Sequence, residues 1–191
     1  YIFPPVVRGI SSALDQNGYS MQISFTDKSV LREEQILKNL IENDNIDALI
    51  AEPSKGALPN PNLDLYRQLR DSGVPIVFLH SCYPELSCPV IRDDDESGGY
   101  LAAQHLLQKG HTRIGGIFKL DDRQGILRFS GMMHALRDAE VSFQEESVFW
   151  FDTNQRVSLV EQGSTGWLED YAAQLANRCT AVICYNDEIA Y

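Results

Sequence analysis

Short runs of almost wholly apolar residues alternate with apolar stripes at helical spacing along this chain, and few folds accommodate that rhythm. Val6, Val7, Ile10 and Leu14 recur at helical spacing after Pro5, and Asn17-Gly18 supplies the left-handed stop that ends such a helix. From Tyr19 to Phe25 the pattern switches to strict alternation, with Tyr19, Met21, Ile23 and Phe25 on one side and Ser20, Gln22 and Ser24 on the other, which predicts a strand. Leu31, Ile36, Leu37, Leu40 and Ile41 make the next helical stripe, and residues 46–51 a short buried strand. Leu65, Tyr66 and Leu69 mark a third helix, which stops at Ser72-Gly73 before the β-rich run 74–79.

From Asp93 the series begins again. A helix runs through Leu101, Leu106 and Leu107 to the stop Lys109-Gly110, and a strand follows at 114–118. Phe129, Met133 and Leu136 then lie on a helix, and 148–151 reads as a strand. Trp167, Leu168, Tyr171 and Leu175 form the last helical stripe, before the strand 181–185. Strands that are apolar on both faces belong to a parallel sheet covered by helices on both sides. With 191 residues, two such sheets account for the length better than one of seven or more strands. The expectation is therefore an α/β chain of two doubly wound parallel-sheet lobes, 1–91 and 92–191, divided near 88–95.

Composition removes several functions. Against 27 Asp and Glu stand only 16 Lys and Arg, for a net charge of −11, so most of this surface repels a phosphate backbone and does not read nucleic acid itself. The longest apolar runs fall far short of the roughly 18 to 20 residues that a membrane helix requires. Cys82, Cys88, Cys179 and Cys184 lack the spacing of a zinc site and read as reduced, buried thiols of a cytoplasmic protein. Tyr1 to Pro5 lacks the order of a signal peptide. No GxSxG elbow, HExxH, Walker loop or GxGxxG occurs, so no catalytic residue, cofactor or metal is predicted. Asp93, Asp94 and Asp95 precede a helix starting near Ser97, where negative charge complements the helix dipole and caps free N–H groups without a metal.

In open parallel sheets, ligands sit outside the carboxyl ends of the strands. The residues there suit a hydroxyl-rich, uncharged molecule. Sugar hydroxyls donate and accept at once, matching planar groups that offer two contacts, here Arg128, Glu52, Asn186 and Asp187. The C–H faces of a sugar ring want flat apolar cover, which Tyr1, Phe3 and Tyr185 offer. Each has a plain structural alternative: Arg128 as a surface cation, Asn186-Asp187 as a helix cap, Phe3 as core.

The stretch Gly110-His111-Thr112-Arg113-Ile114-Gly115, the upstream Asp94-Asp95 with Gly98-Gly99, Arg128 with Gly131, and Asn186-Asp187-Glu188-Ile189-Ala190 together resemble the effector-binding part of LacI/GalR-type regulators. The resemblance spans nearly the whole chain. Tyr1-Ile2-Phe3-Pro4, Glu52-Pro53 with Lys55, Phe118-Lys119 with Asp121-Asp122 and Gln124-Gly125, and Cys184-Tyr185-Asn186 resemble the arabinose-responsive branch, which joins this sensor to a GntR-type winged-helix head. That resemblance implies the periplasmic-binding-protein-like type I fold, L-arabinose bound between the lobes, homodimerisation, and operator DNA contacted through a separate N-terminal head. It also implies a first strand before Tyr1 and further strands after Tyr191.

The resemblance further places Arg128 and Asn186 at ligand contacts, with Glu52, Lys55, Lys119, Gln124, His80, Tyr1, Phe3 and Tyr185 as additional ones. His80 stands where some relatives carry an acidic contact. Two competing readings share parts of the pattern: an extracytoplasmic sugar-binding protein of a transporter, and a sugar enzyme using Asp121, Asp122 or Glu52 as acid and base.

Overall fold

A computed structural model describes residues 3–43, 46–163 and 165–191, without the side chains of Phe3, Glu161 and Gln162. Its first part runs α1 (Phe3–Gln16), α2 (Val30–Asn43), β1 (Leu49–Ala51), α3 (Leu63–Asp71), β2 (Ile76–Leu79) and β3 (Val90–Ile91). The three strands form one parallel sheet in the order β1-β2-β3, with Leu49 opposite Ile76 and Phe78 opposite Val90. Leu37 of α2 and Tyr66 and Leu69 of α3 bury their apolar sides against Phe78, Tyr83 and Leu86. Within that core the Phe78 and Tyr83 rings meet edge to face, 5.6 Å apart at 87°. Gly73, at a φ of 98°, makes the left-handed turn out of α3 that returns the chain to the sheet.

The second part contains α4 (Asp95–Gln108), β4 (Ile114–Lys119), α5 (Arg123–Asp138), β5 (Val148–Phe151), α6 (Thr153–Gln162), α7 (Gly166–Arg178), β6 (Ala181–Cys184) and α8 (Asp187–Ala190). Its parallel sheet has the order β5-β4-β6. The middle strand β4 is buried at all six positions, as a strand covered on both faces must be. Phe118, Met132, Ala135 and Leu136 pack on one face, and Ile117, Phe151, Leu175 and Ile189 on the other. Gly115 lets α7 approach this strand, since a Cβ there would stand 2.7 Å from the Cys179 Sγ.

Helices α4 and α5 cross at contact distance because both carry glycine at the crossing. A Cβ on Gly99 would lie 2.0 Å from the Arg128 carbonyl oxygen, and one on Gly131 would lie 1.9 Å from that of Glu96. This approach brings the first turn of α4 against the middle of α5 and positions the site described below.

Three expectations need correction. Residues 19–25 form no strand, and Tyr19, Ile23 and Phe25 are exposed. Alternation supplies the side-chain pattern of a strand but not a ladder partner, and the described part of residues 1–18 contributes only a helix and its turn. Helix α6 was not foreseen, because it lacks a long apolar stripe. It is started instead by a capping box, in which Asp152 accepts from the Gln155 N–H and the Gln155 side chain accepts from the Asp152 N–H. The four cysteines are free, as expected, but half-buried rather than buried. Among the described residues, no helix is long and apolar enough to cross a membrane.

Candidate functional site

Three chain ends converge beside the second sheet. Asp122, just past β4, accepts from the Gln124 N–H at 3.1 Å and starts α5, which carries Arg128 on its second turn. Asp94 accepts from the Ser97 N–H at 3.1 Å and caps α4, so the next residue, Asp95, turns inward and is 3 % exposed. Tyr185 and Asn186 follow β6, and the Asn186 Oδ1 accepts from the Ile189 N–H at 3.1 Å to cap α8.

Arg128 is the centre of this arrangement. Its Nε donates to Asp95 Oδ1 at 2.9 Å, and its Nη2 lies 2.8 Å from that same oxygen as an ion-pair contact. Its Nη1 donates to the Tyr185 carbonyl, and its guanidinium carbon stands 5.2 Å from the centre of the Tyr185 ring, a cation–π distance. The Tyr185 hydroxyl lies 3.1 Å from Asp122 Oδ2 and 3.4 Å from Gln124 Oε1. The Gln124 Nε2 reaches Asp95 Oδ1 at 3.5 Å. A cavity of about 330 Å³ opens beside Asp95, Gly98, Arg128, Cys184 and Tyr185, at the small end of the range that holds small-molecule ligands.

Sequence comparison identifies the family of the chain. The profile described as "Periplasmic binding proteins and sugar binding domain of LacI family" matches residues 2–191. The chain belongs to this family. An arabinose metabolism transcriptional repressor of Geobacillus stearothermophilus is 36% identical over 190 residues, covering 100% of this chain and 51% of the relative. One of the same name from Halalkalibacterium halodurans is 35% identical, covering 100% and 49%. The chain thus spans about half the length of these curated relatives. Among solved structures, the transcription regulator GntR from Chromobacterium violaceum superposes with a TM-score of 0.74 at 25% identity, covering 96% of this chain and 63% of that one. The transcription regulator CcpA of Lactococcus lactis also gives 0.74, at 21% identity, with 98% and 64% covered. This LacI-family chain therefore has the periplasmic-binding-protein-like type I fold, and the two curated relatives are repressors rather than enzymes.

Within the LacI-family chain, the sequence-predicted site residues separate into groups. Arg128, Gln124 and Tyr185 are brought together, and Asn186 adjoins them with its side-chain oxygen engaged as the α8 cap. Lys119 sits at the buried end of β4, 4 % exposed, its Nζ 2.6 Å from Asp121 Oδ1 and 3.8 Å from Asp122 Oδ2. Its charge is thus neutralised within the second sheet's own layer. Glu52, after β1, accepts from the Lys28 Nζ at 2.8 Å. Lys55 and His80 occupy left-handed backbone positions after β1 and β2, with φ of 54° and 59°. The His80 Nδ1 lies 3.7 Å from Asp93, two residues from Asp95, and the Ala57 N–H reaches the Asp121 carbonyl at 3.5 Å. Tyr1 and the Phe3 side chain lie outside the described residues.

Electrostatics sharpen the picture. Burial, reinforced by Asp122, raises the Tyr185 phenol above its ordinary value, so it stays a hydrogen-bond donor. Burial also raises the Asp95 carboxyl, and Arg128 offsets this only in part. Burial pushes Asp121 up as well, but the Lys119 and Thr153 hydrogen bonds outweigh it and hold that carboxyl below the usual range.

Two residues here escaped the sequence reading. Asp95 was read with its neighbours as helix-capping charge, yet only Asp94 accepts the cap hydrogen bond. The second is Glu33 of α2, 2 % exposed, which accepts from Asn60 at 2.6 Å, Asn62 and Tyr66 at 2.9 Å and Tyr83 at 3.2 Å. It ties α2 to α3 and to the loop after β1. Its donors, which include the Ser54 N–H at 3.5 Å, lie 21 to 50 residues away, so no local pattern marks it.

Proposed function

We propose that this chain is the effector-sensing domain of a bacterial transcriptional repressor, and that its effector is L-arabinose. The observation that carries the reading is full-chain identity of 35–36% to two arabinose metabolism repressors, in a chain whose Arg128, Gln124 and Tyr185 meet beside a cavity of monosaccharide scale. The sugar binds between lobes 1–91 and 92–191, with Arg128 donating to its hydroxyls and Tyr185 covering its C–H face; Asn186, Lys119, Glu52, Lys55 and His80 are the further contacts of this reading. The ligand must favour one lobe arrangement over another, because equal affinity for both would shift nothing. The change in lobe geometry is relayed through a homodimer to a winged-helix head bound at operator DNA in the cytoplasm.

Calorimetric titration of the whole protein with L-arabinose, D-xylose and D-galactose tests this. Heat is expected from L-arabinose alone and should vanish in Arg128→Ala. Saturable heat only from D-xylose or D-galactose rejects the effector, and unchanged affinity in the variant rejects the role of Arg128.

A further inference from the structure

Arg128 grips Asp95 by one oxygen. A guanidinium and a carboxylate that serve only each other usually pair as two parallel forks, using both oxygens. Here Nε donates to Oδ1, Nη2 stands 2.8 Å from that same atom, and Gln124 approaches it as well. The other oxygen, Oδ2, is fully buried and accepts from no described protein group. The Asp95 side chain is 1 % exposed, and a carboxylate oxygen so placed carries a desolvation cost until something donates to it. Asp95 lines the 330 Å³ cavity, and at Gly98, on the same wall, nothing lies within 4 Å of where a Cβ would stand.

Arg128 faces the same cavity with capacity to spare. Two of its five N–H groups donate, Nε to Asp95 and Nη1 to the Tyr185 carbonyl, which leaves three. A naked acceptor beside surplus donors selects for charge as well as shape. An anion such as a sugar phosphate would meet Asp95, with Asp93 and Asp94 close by, and a cation would meet Arg128. A neutral group that gives a hydrogen and takes one at adjacent positions satisfies both, and neighbouring hydroxyls do this.

We propose that Asp95 is a direct ligand contact, its Oδ2 accepting a hydroxyl hydrogen of an unphosphorylated sugar while Arg128 donates to an adjacent hydroxyl oxygen. The proposal rests on the reading that Arg128 and Tyr185 hold a sugar. Asp95→Asn replaces the acceptor with either a donor or a weaker acceptor at constant size, and the affinity for L-arabinose should fall about 30-fold, as expected for a hydrogen bond to a charged group.

The decisive comparison titrates wild type and Asp95→Asn with L-arabinose, its 2-, 3- and 4-deoxy analogues and its methyl glycoside. One analogue should lose affinity on wild type and show no further loss on the variant, which identifies the hydroxyl that Asp95 receives. If Asp95 only aims Arg128, every analogue loses equally on both proteins, and the direct contact is overturned. Wild-type affinity in Asp95→Asn overturns it too. Absence of heat from L-arabinose on wild type is a different failure, that of the sugar reading itself. Should Asp95→Asn not fold, the carboxyl carbon resonance of Asp95 in labelled wild type replaces it: a shift on adding L-arabinose supports the contact, and an unmoved resonance at saturation overturns it.

Discussion

Glu33 and Asp95 are both nearly inaccessible carboxylates at the first turn of a helix, yet their surroundings differ. Glu33 receives donors from Asn60, Asn62, Tyr66 and Tyr83 on both of its oxygens. Among the described residues, Asp95 has its donors on one oxygen and none on the other. A saturated buried carboxylate fastens the fold, since each donor it satisfies would otherwise be desolvated without a partner. An unsaturated one leaves capacity for something the fold does not supply. The two therefore predict opposite balances of stability and binding when altered.

The largest effect should come from Glu33→Leu. It takes an acceptor from five buried donors, of which the Tyr66 hydroxyl and the Ser54 N–H have no other among the described residues, each costing about 1–3 kcal/mol when left without one. Allowing for relaxation, a loss of about 4 kcal/mol or more is expected by urea denaturation, placing this variant in the exceptional tail for single substitutions. Tyr66 and Tyr83 sharpen the expectation. Burial and the nearby Glu33 raise both phenols above their ordinary value, so both remain donors, Tyr66 with Glu33 as its acceptor and Tyr83 with the Ser54 carbonyl also 3.3 Å away. A loss under 1 kcal/mol would show that Glu33 is no different in kind from Asp95.

Next in size is a contrast in pH dependence between Asp95 and Asp121. Asp121 has its carboxyl held below the ordinary value in the folded chain. Its contribution to stability is present above the unfolded value of about 3.9 and is lost as pH falls through the depressed folded value. Asp95 is shifted upward, so the folded chain takes up its proton before the unfolded chain does. As pH falls from neutrality toward about 4, Asp95 should make wild type gain stability relative to Asp95→Asn. Asp121→Asn should instead cost about 3 kcal/mol at neutral pH, because it removes the close partner of a buried Lys119, and that deficit should shrink below about pH 4. Denaturation midpoints of the three proteins between pH 3 and 7 check both signs. Parallel curves for the two variants would erase the distinction.

The same contrast explains what was readable from the residues. Strand β4 announces itself because burial on both faces forces a continuous apolar run, β2 and β6 show as short apolar runs, and Gly73 and Gly110 mark helix ends because left-handed turns favour glycine. Arg128, Gln124 and Tyr185 come together as their positions suggest, because Tyr185 follows β6 directly and Gln124 and Arg128 lie on the first two turns of the helix that follows β4. Glu33 was invisible, since its partners are fixed by tertiary packing and its own helix gives it an ordinary polar spacing. Asp95 was visible but misread: three consecutive aspartates before a helix satisfy the capping rule together, and only backbone geometry divides the work so that Asp94 caps while Asp95 is buried. Residues 19–25 failed for the converse reason, a pattern without a pairing partner.

The smallest expected effect is also the most diagnostic. Tyr66→Phe removes one donor, at 2.9 Å, from an acceptor that keeps four others, and should cost about 1 kcal/mol in wild type. In a Glu33→Leu background the same change removes an orphaned hydroxyl from an apolar interior, so it should be neutral or stabilising. A double-mutant cycle by urea denaturation reads the coupling as the difference between the two. A coupling of about 1–2 kcal/mol means that the hydroxyl matters through Glu33. No coupling would mean that Tyr66 contributes through its ring, packed 5.6 Å from Phe78, and that the carboxylate hub is a consequence of packing rather than its fastener.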